Sequence, residues 1–312
     1  MIEIAIMIEG QNGLNWKRWQ RIAATVESCG YTGLFRSDHY TNRNPPDLDA
    51  LECWVSLTWL AAHTRRIEFG PLVTPTSFRH PSHTARMAAA VDDLSGGRLT
   101  LGIGAGWQER EHALFGWDLL SLDERFRRFE EGLEVVSRLL HSDEPVDFHG
   151  KYYQVNGGIL LPRPERPGGP PILVGGNGLH RTLPLAARFA GEWNSLLITP
   201  TEFTRLNTRL DGYIRAEGRQ PTDVRRSLMT GCIFGVSHEE VERRVNRRTN
   251  GQGSSSDLRQ RGLVVGTAEE IVEQCQELAR AGVQRVMLQW LDLDDISGLE
   301  TMADGILSRL SA

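Results

Sequence analysis

The chain has 312 residues, 40% of them hydrophobic and 24% charged, with a mean hydropathy of -0.33; that is length enough for a large core and too much apolar content for disorder. A formal net charge of -5 and a pI near 6.0 give no long-range attraction toward nucleic acid or an anionic membrane. No uncharged apolar run approaches the roughly 18 residues of a membrane span, and Met1-Ile2-Glu3-Ile4 lacks the basic opening of a secretory leader, so a cytoplasmic protein is expected.

The first element is an apolar run, Ile2 to Ile8, followed by Trp16 to Cys29 with apolar residues at the spacing of a helix face. The same alternation continues with Gly33-Leu34-Phe35 before Leu48–His63, Ile67 to Val73 before Ser82–Leu94, and Leu99 to Ile103 before a long helical tract ending near Leu140. It resumes with Pro171–Val174 before Leu179–Ala190, Trp193–Ile198 before Glu202–Glu217, Leu228–Val236 before Glu239–Arg248, and Ile271–Ala281 before Val286–Trp290. Eight strands separated by helices predict an α/β fold, a (β/α)8 TIM barrel formed by a single domain over 1–312, with an open doubly wound sheet as the alternative. Such a barrel needs about 250 residues, which leaves roughly 60 for insertions. One is expected at about 143–170, where Phe148-His149-Gly150-Lys151-Tyr152-Tyr153 suggests a short hairpin. The other, about 243–263, holds six Arg against one Asp around a Gly/Ser-rich stretch and is expected to be a flexible surface loop.

Four cysteines, Cys29, Cys53, Cys232 and Cys275, lie far apart in apolar stretches and are expected to be reduced core thiols. His80 and His83 lack a third convergent ligand, so no metal site is expected. In a parallel barrel the active site lies at the carboxyl ends of the strands. The polar residues there are Glu9 and Gln11 after the first strand, Ser37, Asp38, His39 and Tyr40 after the second, Thr74 after the third, and Trp107, Gln108 and Glu109 after the fourth. His39 is the natural proton carrier, since imidazole titrates near neutrality. Gly102-Ile103-Gly104-Ala105-Gly106 lacks the spacing of a dinucleotide fingerprint and has no P-loop Lys, but its glycines can let a flat ring approach the backbone. Gly175-Gly176-Asn177-Gly178, leading toward a helix with Arg181 in its first turn, has the character of a phosphate site, because exposed N–H groups and the helix dipole both favour an anion.

Taken in order, several stretches resemble the luciferase-like monooxygenase superfamily, in particular its branch that uses the deazaflavin coenzyme F420. They are Phe35-Arg36-Ser37-Asp38-His39, Gly70-Pro71-Leu72-Val73-Thr74 with Phe78-Arg79-His80-Pro81, and Leu94-Ser95-Gly96-Gly97-Arg98-Leu99 with Gly102-Ile103-Gly104-Ala105-Gly106-Trp107. Pro171-Ile172-Leu173-Val174-Gly175-Gly176, Glu192-Trp193-Asn194, Val265-Gly266-Thr267-Ala268-Glu269-Glu270 and Ala281-Gly282-Val283 follow. The resemblance implies a luciferase-like barrel in which His39, with Asp38 beside it, moves a proton, and Glu109 or Glu111 serves as an acid. It implies a non-proline cis peptide at Leu72-Val73 or its immediate neighbour, with Leu72, Val73, Thr74, Gly104, Gly106 and Trp107 lining the coenzyme. Gly175, Gly176, Asn177, Gly178 and Arg181 would hold its phosphate, although Asn177 and Leu179 stand where many relatives carry a further Gly or a basic residue.

The function implied is hydride transfer between the C5 carbon of coenzyme F420 and a small organic substrate, in a homodimer. The alternatives are an FMN-dependent monooxygenase and a non-catalytic flavin-binding or structural barrel. A Schiff-base lyase is disfavoured, because Lys17 and Lys151 are the only lysines and neither follows a barrel strand.

Overall fold

Alternation of buried and outward residues along each strand builds a closed parallel barrel. The computed structural model describes residues 2–310. Its first half contains β1 (Glu3–Ile8), α1 (Trp16–Cys29), β2 (Gly33–Arg36), α2 (Cys53–His63), β3 (Glu68–Pro71), β4 (Thr74–Pro75), α3 (Pro81–Ser95), β5 (Leu101–Gly104), α4 (Glu109–Phe115) and α5 (Leu122–His141). The hairpin strands β6 (Val146–His149) and β7 (Gln154–Gly158) come next, then β8 (Ile172–Gly175), α6 (Thr182–Phe189), β9 (Glu192–Leu196) and α7 (Pro200–Ala216). The chain ends with β10 (Arg225–Phe234), α8 (His238–Thr249), α9 (Ser255–Gln260), β11 (Val264–Gly266), α10 (Ala268–Arg280), β12 (Arg285–Gln289) and α11 (Ile296–Leu310).

Around the ring the order is β1, β2, β3, β5, β8, β9, β10 and β12, which pairs back onto β1 with Glu3 opposite Arg285. The third stave is interrupted: β3 pairs with β2, the chain steps out at Leu72-Val73, and β4 resumes pairing with β5. A bridge between Phe69 and Leu99 closes the seam. The sequence therefore specifies the (β/α)8 barrel, and the open sheet is excluded by this closure.

Period-two alternation sorts the side chains. Along β1, Ile4, Ile6 and Ile8 pack outward with the helices, while Ala5 and Met7 join Phe35, Leu72, Leu173 and Met287 inside the barrel. The amino-terminal end of the interior is charged. Arg285 is fully buried there, donating to Glu3 at 2.7 Å, Glu68 at 2.6 Å and Glu192 at 3.3 Å. Burial pushes the Glu192 carboxyl upward against the pull of Arg285.

The structure corrects several expected elements. Residues 243–263 are not a flexible loop: α8 extends to Thr249 with Ser237 as its N-cap, and a Ser254–Asp257 capping box starts α9. β11, not anticipated, extends the sheet beyond the barrel rim by pairing with Cys232–Phe234 of β10. The tract after the fourth barrel strand is two helices, because Gly116 ends α4 in the left-handed region at φ 74°. α2 begins at Cys53 instead of Leu48, since the segment before it bridges Leu14 through Ala50. Leu179–Arg181 precede α6, so Arg181 is its N-cap. All four cysteines are free, but only Cys53 and Cys275 are buried. No helix among the described residues is long and apolar enough to cross a membrane, and none of these residues form a His/Cys/Asp/Glu group placed for a metal ion.

Replacing Arg285 by Met leaves Glu192 buried beside an apolar side chain, a loss expected to cost about 3–5 kcal/mol. Urea unfolding checks it: Arg285→Met falls by that amount, and the Arg285→Met/Glu192→Leu double variant recovers much of it.

Candidate active site

The carboxyl ends of the strands form one rim, and a belt of hydrogen bonds crosses three of them. Gln289, ending β12, donates to Glu9 Oε1 at 2.6 Å, and Gln11 donates to Glu9 Oε2 at 2.9 Å. Ser37, following β2, donates to Gln11 at 2.6 Å and accepts from the Gly10 N–H at 2.8 Å. The side chain of Glu9 is thereby fixed at the mouth.

His39 and Asp38 are neighbours in sequence with opposite partners. Glu111 accepts from His39 Nδ1 at 2.8 Å and from the Tyr40 N–H at 3.1 Å, and its own side chain is fully buried. A carboxylate only accepts, so Nδ1 carries the hydrogen, and Nε2 has no partner among the described residues. Burial opposes charge on His39, but the hydrogen bond and charge of Glu111, with Glu9 and Asp38, outweigh it and raise the imidazole above its ordinary value. Trp107, 53% exposed, meets the ring edge-on at 5.6 Å. Asp38 points away into a separate buried pair, accepting from Thr74 Oγ1 and Arg79 Nη1 at 2.5 Å each. Thr74 and Asp38 thus tie the end of the second stave to the bulge of the third.

The expected acid at Glu109 is not beside His39. Gln108, Glu111 and His112 share the buried face of the α4 turn, whereas Glu109 is exposed. Gln108 donates to the Thr41 carbonyl at 2.9 Å, and Arg110 pairs with Asp47 at 2.6 Å, so α4 is clamped onto the loop carrying His39. His112 hydrogen-bonds the Gln108 carbonyl at 2.7 Å and Ser77 at 2.8 Å, bracing α4 from its other side.

The Leu72-Val73 peptide is cis. The Val73 side chain occupies the space that two glycines provide: a Cβ on Gly104 would meet it at 2.6 Å and one on Gly175 at 3.2 Å, whereas one on Gly102 would run into the Pro71 carbonyl. Gly104 therefore makes room for the bulging valine, and Gly102 for the close approach of the Pro71 backbone. Gly106 has φ +82° and its carbonyl accepts from Arg125 at 3.2 Å.

In the loop after β8, the Asn177 side chain accepts from the Leu196 N–H at 3.0 Å and donates to its carbonyl at 2.8 Å, locking the loop to β9. The Gly176 N–H is committed to the Asn194 carbonyl at 2.9 Å. The N–H groups of 177–181 donate to no described acceptor. The Arg181 guanidinium is paired with Asp123 and lies 5.8 Å from the Phe126 ring.

A family model described as luciferase-like monooxygenase matches residues 2–261. The chain belongs to the luciferase-like monooxygenase family. Within that family it is 26% identical over 313 residues to 4-hydroxyprotoasukamycin monooxygenase of Streptomyces nodosus subsp. asukaensis, covering 91% of this chain and 82% of that protein. It is 34% identical over 160 residues to an F420-dependent glucose-6-phosphate dehydrogenase of Kineococcus radiotolerans, covering 51% of this chain and 47% of that enzyme. In fold it is similar to an F420-dependent secondary alcohol dehydrogenase solved with an F420-acetone adduct, with a TM-score of 0.86 and 17% identity over 99% of both chains. These luciferase-like relatives make the chain an oxidoreductase.

Sequence reasoning singled out the strand ends but missed Gln289, gave Arg79 no role and left Glu109 and Glu111 open; the buried i, i+3, i+4 face of Gln108, Glu111 and His112 was the available signal. The packing around Val73 is directly testable. Gly104→Ala overpacks Val73 and is expected to cost about 1–3 kcal/mol, with Gly104→Ala/Val73→Ala recovering most of it in a thermal-unfolding double-mutant cycle. Additive losses would contradict that contact.

Proposed function

We propose that the chain is a coenzyme F420-dependent oxidoreductase acting on a small organic substrate, with His39 exchanging the proton that accompanies hydride transfer. The observation that carries this reading is the buried Glu111 carboxylate on Nδ1 of His39, with Nε2 at the barrel mouth and unpartnered among the described residues. When bound, the deazaflavin supplies the carbon that gives or takes the hydride.

The residues present fit such a group. The N–H groups at 177–181 offer donors for a phosphate, ahead of the amino terminus of α6. Gly175 and Gly176 bring the chain to that turn, and Asn177 and Gly178 contribute N–H groups while Asn177 also stiffens it. Arg181 would contribute only by leaving Asp123. Leu72, Val73 and Trp107 would line the ring, with Gly104 and Gly106 shaping the end of the adjacent strand and the turn after it. Thr74 and Asp38 are positioning residues in this reading, holding the bulge in place through Arg79. Glu111 orients His39 and keeps its proton more firmly bound; His39 Nε2 is the atom that releases or accepts it.

The share of this chain covered by the monooxygenase relative favours a second reading, FMN-dependent oxygenation on the same rim. Either reading takes the protein as a cytoplasmic homodimer. Fluorescence titration of the purified protein with coenzyme F420 and with FMN separates them: tighter binding of coenzyme F420 is expected, and preference for FMN would overturn the proposal.

The proton role has its own pH signature. His39 holds its proton below a raised pKa and loses it as pH rises through that value, so substrate reduction is expected to fall on that limb and oxidation to rise. Glu111→Gln removes the charge and leaves the burial that opposes protonation, moving the limb to lower pH, while Glu109→Gln leaves it in place. His39→Ala is expected to lower turnover by about 100-fold or more while coenzyme affinity stays within about tenfold; unchanged turnover would remove His39 from the mechanism.

A further inference from the structure

Period-two alternation continues past the ends of the strands and brings one carboxylate to the barrel axis. The Ser37 N–H extends the β1–β2 ladder by donating to the Ile8 carbonyl at 3.0 Å, and the Trp290 N–H extends the β12–β1 ladder by donating to the Met7 carbonyl at 2.9 Å. Met7, Phe35 and Met287 lie in the apolar cluster inside the barrel. The next inward residues on the same strands are Glu9, Ser37 and Gln289, so the Glu9 carboxylate stands on the apolar plug and faces the mouth to which His39 presents Nε2. On β8 and β10 the inward positions that follow Leu173 and Met229 are Gly175 and Gly231, which add no polar side chain there.

The belt of hydrogen bonds around Glu9 runs in one direction. The Gly10 N–H donates to Ser37 Oγ, the Ser37 hydroxyl donates to Gln11 Oε1, and the carboxamide N–H groups of Gln11 and Gln289 donate to the two oxygens of Glu9. A carboxylate offers about four acceptor positions, so these two donors leave lone pairs free on a half-buried group already held in place. None of the described residues forms an ion pair with Glu9. Arg36, at the end of β2, faces the helices and is spent on Ser56 and the Leu51 carbonyl at 2.5 Å each. Arg248 of α8 lies within the field of Glu9 without pairing with it. A substrate cation would meet that charge, whereas a neutral hydroxyl supplies the hydrogen that the free lone pairs lack.

We propose that Glu9 is a substrate-recognition residue whose carboxylate accepts a hydrogen bond from a hydroxyl group of the uncharged molecule that reacts at His39. The assignment to substrate rests on the functional reading above; the hydroxyl-accepting site at Glu9 does not. Gln11 and Gln289 are positioning residues in this site, since an acceptor fixed before the ligand arrives loses little side-chain freedom on binding.

NMR of methyl-labelled methionine reads this site directly, because Met7 and Met287 lie beneath Glu9 and Gln289 while Met87 and Met302 pack among the outer helices. Glycerol, serinol and glycerate serve as probes, alike in size and respectively neutral, cationic and anionic. Glycerol is expected to shift the Met7 and Met287 methyls and leave those of Met87 and Met302 in place, with glycerate shifting neither pair. Glu9→Gln keeps the shape and one acceptor oxygen without the charge, so it is expected to retain the melting temperature and bind glycerol about tenfold more weakly; Glu9→Leu abolishes the shifts. Absence of glycerol shifts in the unaltered protein, shifts that persist at full strength in either variant, or glycerate binding as tightly as glycerol overturns the acceptor site. Serinol binding more tightly than glycerol overturns the hydroxyl in favour of an ammonium group. Loss of the glycerol shifts with coenzyme F420 at saturation overturns the assignment to substrate and gives Glu9 to the coenzyme. Failure of the coenzyme reading is visible separately, because the titration of the protein alone does not depend on it.

Discussion

Arg285 reaches Glu3, Glu68 and Glu192 across the barrel axis and so ties β12 to β1, β3 and β9 at the amino-terminal end. Its guanidinium is also 5.6 Å from the Phe35 ring, the next layer inward. The interior is thus filled from that end by a charged layer and then an apolar one of Ala5, Phe35, Leu173 and Met287. A filled floor leaves the opposite rim as the place where a ligand can reach the strand ends. That single constraint puts Glu9, His39, Val73 and Gln289, which follow or end four different strands, on one surface.

On that surface the third stave is the organising irregularity. Val73 projects where regular pairing would place a flat strand, and it does so because Gly104 and Gly175 lack side chains in its way. The bulge is anchored to the second stave by Thr74 on Asp38, with Arg79 bridging from Asp38 to Glu52 at 2.9 Å. His39 is left to face Glu111 instead. Two adjacent residues therefore do different work: Asp38 maintains the backbone around the bulge, and His39 presents one free nitrogen to the mouth.

The segment from α8 to β11 stands apart from this ring in construction. It pairs only with the overhanging end of β10 and has its own apolar cluster around Val245. A barrel fixes the strand ends rigidly, while elements added beyond the rim can change without disturbing the core.

Local pattern was sufficient for the architecture: eight apolar runs separated by amphipathic helices specify the parallel ring, and the positions after those runs specify which residues reach the rim. Two short features escaped that pattern, since β11 has only three residues and α9 only six, too few to show a period. The site was legible as a set of positions, not as a set of partners. Whether Glu109 or Glu111 meets His39 depends on which face of α4 the Arg110 and Gln108 clamps turn inward, and the role of Gly104 depends on a valine thirty-one positions earlier. The sequence determines strands, helices and their order because hydrophobic periodicity is local; the tertiary structure decides hydrogen-bond partners, the charge state favoured at His39 and the packing around Val73, because those depend on groups brought together from distant parts of the chain.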